Sequence, residues 1–557
     1  MDHLRATLAS ALNIRPGEGR STALLLMHSF CLGAATVSFS TAASALFLAT
    51  FDVGTLPYVY ISSAATTVLL GFLYTKLQAR LPAATLLPAT LVFLVLIVAA
   101  LRLGLWLSAS TWLAFALLFW LRLVIVLANL EFWGLAGRLF NVRQGKRLFS
   151  LIGSGELTAS ILGGFATPLL VMWLGTPNLL LITITGLLLA LVFLIMTLRS
   201  FADQLTPPQP EVARSHEAAR SDLSGLLKNP YIMWIMLSNV LMVIVYNFVD
   251  YTFYDFTKAR YQDEMHLAIF IGPFFAVVQI INVLTKTFFS SRLFSRYGLG
   301  VGLLAHPLLL ITGMVLITLG SSVSNAVGLL FWLVASTKLG DEVLWTSIYD
   351  PSLLILYQPL RTEQRRAFQV AVQSIFGPLA IGLSGVILLL LGTTDFFTSV
   401  HLTYIMLPIL IGAIIVARRV SQEYPKALTQ ALAKRHLEGI DLSLQDGSSI
   451  AVLQQKLHSP HPGEIVYALD MLAQIEHESL PAFLLDLLEH PQADVRQDVL
   501  RRLELIKAVE ASSAVRQRID SEEVPQVRAA ALRAWCALGE TEVVEQVTPY
   551  LHDTDQD

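Results

Sequence analysis

This sequence is short of charge and shorter still of cysteine. Only 14% of its 557 residues are Asp, Glu, Lys or Arg, against about 25% in soluble domains. So few charges exclude an ordinary soluble protein of this size. Two cysteines, Cys31 and Cys536, lie in unlike segments and exclude a disulfide framework. His458, His461, His477 and His490 have no cysteine at metal-site spacing, so no metal and no cofactor are expected. A Walker A sequence is missing, which excludes P-loop ATP hydrolysis as the driving force. No catalytic constellation is visible, and the chain is not expected to be an enzyme. Met1–Arg20 is polar and the first apolar stretch is too long for a cleavable signal peptide. An excess of basic charge is missing too. Residues 421–557 hold 12 Lys and Arg against 23 Asp and Glu, and the rest of the chain holds 26 against 18. The acidic tail argues against a nucleic-acid partner, which needs a basic face.

What the chain does have is apolar length. A membrane span needs about 20 apolar residues. Twelve segments qualify: 21–49, 56–76, 83–107, 111–137, 149–174, 177–198, 231–256, 266–290, 299–320, 325–356, 368–392 and 398–417. The polar, proline-bearing stretch 201–229 divides them six and six. The expected domains are therefore 1–200, a linker at 201–229, 230–420, and a soluble module at 425–557. Alternate loops concentrate Lys76 and Arg80, Arg138 to Arg147, Arg292 and Arg296, and Arg361 to Arg366. Positive loops face the cytoplasm, so both termini and the linker are expected there, in a bacterial inner membrane.

The two halves echo each other. Gln144-Gly145-Lys146-Arg147-Leu148-Phe149 matches Glu363-Gln364-Arg365-Arg366-Ala367-Phe368 at an offset of 219. That offset also superposes Glu131 on Asp350 and Arg122 on Asp341. A 6+6 repeat resembles the major facilitator transporters, whose halves rock about a central site. The resemblance implies an all-α polytopic fold in which the first, fourth, seventh and tenth spans line a cavity.

The ionisable groups fall on those spans. The fourth carries Arg122, Asn129 and Glu131; the seventh carries Asn239, Tyr246, Asn247, Asp250 and Tyr251; the tenth carries Lys338, Asp341, Glu342, Trp345 and Asp350. The first is milder, with His28. The third, sixth, ninth and twelfth hold almost no central charge. Charges inside a membrane are costly and mark polar pathways. Arg122, Asn129, Tyr246, Asn247, Asp250, Lys338, Asp341, Glu342 and Trp345 are the candidates for solute or coupling-ion contact. The bland alternatives are a Lys338–Glu342 pair at i, i+4, a cross-half Arg122–Asp341 salt bridge, and simple aromatic packing. Glu131 and Arg138 form an E-x6-R pattern. With Arg143, Lys146, Arg147, Asp350, Arg365 and Arg366 they are the candidates for a cytoplasmic gate. His28 alone reads as a hydrogen-bonded packing residue, with proton carriage the sharper alternative.

A narrower resemblance follows. Phe132-Trp133-Gly134, Lys146-Arg147-Leu148-Phe149 and Leu151 to Gly155 resemble the fourth and fifth spans of the ATP/ADP translocases. Asn247, Val249, Asp250, Thr252 and Phe253, with Lys258 beyond, look like their seventh-span motif. Asp350-Pro351 and Tyr357-Gln358-Pro359-Leu360 look like their tenth. Departures accompany it. The family's charged first-span run is Ser38 to Ala42 here, its tenth-span lysine falls on Trp345, and the residues after Asp350-Pro351 are Ser352, Leu353 and Leu354. Phosphate recognition wants cations or helix N-termini, and two cationic positions are missing. The resemblance implies the same fold and a different substrate.

In the tail, three segments recur near a period of 31, starting at Leu457, Leu488 and Ile519. Each reads as a helix, a Pro/Asp turn and a second helix, and resembles HEAT repeats, which stack into an α-solenoid. Its expected role is a docking or regulatory platform for a protein partner or for the transporter itself, or a stabilising cap. The function expected of the whole is secondary active transport of a small polar or anionic solute, nucleotide-like solutes included, across a lipid bilayer. The competing readings are a receptor or scaffold with a transporter fold, and a mover of lipid or amphiphile.

Overall fold

The computed structural model describes residues 14–15, 17–108, 110–201, 228–322, 327–393, 398–433, 453–459, 461–474 and 479–538. They form two compact units. One is Met1–Ser290 with Gly302–Leu353 and Thr362–Val420; the other is Ser291–Val301 with Leu354–Arg361 and Ser421–Asp557. The expected linker lies almost wholly outside the described residues.

The first half of the membrane region is α1 (Gly19–Thr50), α2 (Leu56–Arg80), α3 (Ala83–Leu107), α4 (Trp112–Leu139), α5 (Val142–Leu174) and α6 (Leu179–Ser200). The second is α7 (Pro230–Arg260), α8 (Glu264–Thr285), α9 (Ser291–Ser321), α10 (Val327–Leu344), α11 (Gln364–Gly392) and α12 (Ser399–Ala433). Twelve spans are expected, and among the described residues eleven helices are long and apolar enough to cross a membrane. The twelfth is α10, whose 18 residues include Lys338, Asp341 and Glu342. It opens into a π-helical turn at Trp345–Tyr349 and resumes at Asp350–Leu356.

Sequence chemistry sets the ends of several helices. Asn141 caps α5 through a capping box, accepting from the Gln144 N–H while the Gln144 side chain accepts from the Asn141 N–H. Asn229 and Asp263 cap α7 and α8 in the same spirit. Gly298, at φ +72°, interrupts α9, a conformation that a Cβ disfavours. Departures from the expected spans fall at polar ends: α5 begins at Val142, α9 begins at Ser291 and α12 runs unbroken to Ala433. A hydropathy window stops where charge appears, although the backbone hydrogen bonds carry on.

The burial pattern is inverted relative to a soluble protein. Trp173 is 78% exposed and Trp106 71%, while Glu131, Lys338 and Asp341 are fully buried. Apolar exteriors with polar interiors suit a lipid solvent. α1 and α7 are the most enclosed helices.

Because the helices alternate in direction, Gly19 marks a basic face and Thr50 a far face. The halves meet closely towards the far face. A Cβ added at Gly164 on α5 would stand 2.6 Å from the Gly272 carbonyl of α8, and one at Gly272 would stand 2.7 Å from Thr167. Only glycine permits that approach.

In the tail, α13 (Pro462–Gln474), α14 (Leu480–Leu487), α15 (Ala493–Ile506), α16 (Ser512–Ser521) and α17 (Pro525–Leu538) stack as helix pairs. Their core is aliphatic, with Leu484, Val495, Val499, Leu503, Val515 and Ala531 fully enclosed. Arg496 donates to both oxygens of Glu522 at 2.9 and 2.6 Å and to the carbonyls of His490 and Pro491. That one guanidinium ties the turn before α15 to the turn before α17.

Candidate functional site

The seventh and tenth helices place a charged cluster in the membrane region. Lys338 is fully buried. Its Nζ lies 2.8 Å from Glu342 Oε1, 3.1 Å from Asp250 Oδ1 and 3.8 Å from Asp341 Oδ2. Asp341 and Glu342 sit three and four residues on, so helical periodicity aims both back at the lysine. The ammonium also lies 4.1 Å from the centre of the Tyr246 ring, a cation–π contact. The Tyr246 hydroxyl donates to Glu342 Oε1 at 2.8 Å, and Trp345 packs on Tyr246 with ring centres 5.3 Å apart.

The first half closes on this cluster from the other side. Tyr60 of α2 donates to Asp250 Oδ2 at 3.2 Å. Arg122 of α4 donates to Asn247 Oδ1 at 3.3 Å. The cluster thus holds three carboxylates with Lys338 and Arg122, one formal negative charge in excess. Asp250 and Glu342 retain 13% and 17% side-chain exposure, while Lys338 and Asp341 retain none. Asp250 and Glu342 are therefore the accessible members of the cluster, with the lysine enclosed behind them. A buried charge is tolerable only when compensated, and here three acids share one ammonium.

Nearer the far face, Ser44 and Tyr254 hydroxyls are 3.4 Å apart. Lys258 Nζ donates to the Phe51 carbonyl at 2.6 Å and to Asp52 at 3.0 Å. Thr176 donates to the Glu264 carbonyl. These contacts join the two halves at the far face, beyond the cluster. The structure is thus latched at the far face.

Several expected contacts differ. Arg122 and Asp341 do not pair with each other: Arg122 reaches Asn247, and Asp341 binds His306 Nε2 at 2.9 Å. The ninth helix is accordingly not free of central titratable groups, since His306 is fully buried there. Glu131 is not set against the basic loops. It is fully buried and accepts from His28 Nε2 at 3.0 Å. Asn129 is exposed and donates back to the Ile125 carbonyl of its own helix. The Lys338–Glu342 pair at i, i+4 is present. Of the other gate candidates, Arg147 pairs with Glu18 at 2.8 Å, Asp350 and Arg366 are exposed, and Arg138 and Arg365 are half-buried. The side chains of Arg143 and Lys146 lie outside the described residues. Glu18 sits outside the membrane helices. Its carboxyl is raised by partial burial but held below its ordinary range by hydrogen bonds from Arg15, Arg147 and Gln144.

Tyr60, Ser44, Tyr254 and His306 were not singled out by sequence. A hydroxyl or a lone histidine in an apolar helix carries no periodic signal. His306 alone gave a hint, as a titratable residue beside Pro307 within an apolar run.

Residues 134–350 match the Major Facilitator Superfamily, and residues 450–536 match HEAT repeats. The membrane region also superposes on the nucleoside transporter NupG (TM-score 0.51, 14% identity) and on a bacterial homologue of the iron transporter ferroportin in its inward-facing state (TM-score 0.52, 18% identity). Each alignment covers 72% of this chain and 98% of the other. At such identity they speak to the fold alone. Among curated proteins, the chain is 24% identical over 277 residues to the chloroplastic ADP,ATP carrier protein 2 of Arabidopsis thaliana, covering 46% of this chain and 45% of that one. It is 23% identical over 369 residues to ADP,ATP carrier protein 2 of Chlamydia trachomatis, covering 57% and 66%. The chain thus spans about half the length of the curated relatives it matches.

Proposed function

We propose that this facilitator is a secondary active transporter working by alternating access. The cluster of Asp250, Glu342 and Lys338 takes the solute and its coupling cation. The observation that carries this reading is Lys338, fully buried and contacted by three carboxylates from α7 and α10. Such an arrangement is costly for packing alone, since apolar replacements of buried ion pairs are commonly neutral or stabilising. It is useful where a cation must be taken up and released: occupancy of Asp250 by a proton or Na⁺ frees the lysine for an anionic group.

The relatives, ADP,ATP carrier proteins, point to adenine nucleotides. The charge balance here points to a smaller burden. One formal negative excess fits a neutral or singly charged polar solute better than a triphosphate with its roughly four negative charges. Both termini and the linker face the cytoplasm, in keeping with the basic loops, in a bacterial inner membrane. The HEAT repeats form an interaction platform at the C-terminal end. The gate candidates on the basic face close the alternate state.

A thermal-shift panel of purified protein with ADP, ATP, nucleosides, sugar phosphates and amino acids identifies the class. Uptake into proteoliposomes with and without a pH gradient then tests coupling. Asp250→Asn is expected to abolish gradient-driven uptake with normal insertion; full uptake in that variant overturns the reading.

A further inference from the structure

A second pair of titratable groups lies apart from the cluster. His28 on α1 and Glu131 on α4 are both fully buried. Glu131 is nine residues beyond Arg122 on the same helix, about 13 Å along the axis towards the basic face. The neighbouring helices bring few charges to it. Tyr74 of α2 and Arg138 of α4 interact electrostatically there, and α5 brings Glu156, whose N–H donates to Ser29. Phe132 stacks on the imidazole with ring centres 5.9 Å apart.

The hydrogen bonds count the protons. His28 Nδ1 lies 2.8 Å from the Ala190 carbonyl of α6. A carbonyl only accepts, so Nδ1 must carry a hydrogen. The other nitrogen, Nε2, lies 3.0 Å from Glu131 Oε2. With Nδ1 protonated, a bare Nε2 lone pair would face a carboxylate lone pair in a buried site. That contact is repulsive and leaves both acceptors unpaired. A proton must therefore lie between them, on the imidazole or on the carboxyl. The second oxygen, Oε1, has no hydrogen-bond partner among the described residues, so the contact with Nε2 is the hydrogen bond described for this carboxyl.

We propose that His28 and Glu131 form a proton-binding site of the transport cycle, loaded with one exchangeable proton in the far-closed state and separate from the Asp250–Lys338 cluster. Loss of that proton to water on the basic side leaves two facing lone pairs, one of them on a carboxylate. The pair then parts, moving α1 against α4, and α1 is the helix whose far end holds Ser44 and whose following turn holds Asp52. The latch at the far face thus feels the protonation state of a site in the basic half. This inference rests on the transporter reading for its role in the cycle, although its test needs no transported solute.

The test places spin labels at Ser108 and Thr393, both exposed on the far face of opposite halves, in full-length protein carrying Cys536→Ser. In nanodiscs, the wild-type far-open population is expected to rise about threefold or more between pH 5 and pH 8. Glu131→Gln keeps a donor for Nε2 and mimics the loaded pair, so it is expected to stay far-closed at both pH values. A flat wild type or a full response in Glu131→Gln overturns the proposal. Nitrogen-15 histidine spectra of the wild-type protein give a reading that depends on no variant. A histidine protonated at Nδ1 at neutral pH is expected; finding every histidine with Nδ1 bare overturns it. These readings fail separately from the uptake assay.

Discussion

Lys338 of α10 reaches Asp250 of α7 across 3.1 Å, and that bond ties two helices of the second half through a charge with no exposure of its own. Removing the lysine leaves Asp250, Asp341 and Glu342 crowded without a cation. Lys338→Met is expected to destabilise the membrane region by about 3–5 kcal/mol, the usual cost of orphaning a buried charge. Lys338→Met with Asp250→Asn should recover part of that loss. Thermal melting in detergent checks both, and equal melting of Lys338→Met and wild type would remove the cluster's compensating role.

The far-face latch makes a second prediction. Asp52 is almost fully exposed, so its ion pair with Lys258 is weak. The buried end of the contact is the 2.6 Å bond to the Phe51 carbonyl. Lys258→Met is therefore expected to shift the closed population only by about 1 kcal/mol, near fivefold. Gly164→Val should do far more. Its side chain would meet the Gly272 carbonyl, a backbone atom that cannot step aside. That variant is expected to be held far-open and to lose transport while it still inserts. Label distances across the far face report both, and a far-closed Gly164→Val would contradict the packing argument.

Acid should loosen the tail at one ion pair. Burial raises the Glu522 carboxyl, but hydrogen bonds from Arg496, the Val524 N–H and Arg518 outweigh it and hold the group at about 2. The unfolded value is higher, near 4.5. The stabilisation is therefore complete above about pH 4.5 and lost as pH falls towards 2. Its ceiling is on the order of 3 kcal/mol. Hydrogen exchange over residues 493–538, corrected for intrinsic rates, should show lost protection in that window. Glu522→Gln should lower protection at neutral pH and flatten the acid response.

Truncation should be cut by burial rather than by hydropathy. Tyr424, Leu428 and Ala431 are buried on the last turns of α12. Deleting residues 434–557 keeps them, and that protein is expected to insert and to bind solute, with altered transport rate or lower melting temperature. A truncated protein that inserts normally yet gains no stability from any ligand of the full-length chain would place part of the site in the tail.

Sequence alone determined the apolar or polar character of each segment and the helices that carry charge. Those properties follow from local composition and period: apolar length needs no partner to be read, and a HEAT turn repeats its own residues. It also marked Asp250, Lys338, Asp341 and Glu342, because a charge in an apolar run stands out wherever it later packs. Partnership was the work of tertiary structure. Glu131 looked like a gate residue from its spacing to Arg138, yet packing of α1 against α4 and α6 enclosed it with His28. Arg122 and Asp341 matched by repeat, yet Asn247 and His306 took them. Tyr60 joined the site only because α2 crosses α7 there. A hydrogen bond is decided by which helices touch at which depth, and no one-dimensional period carries that information.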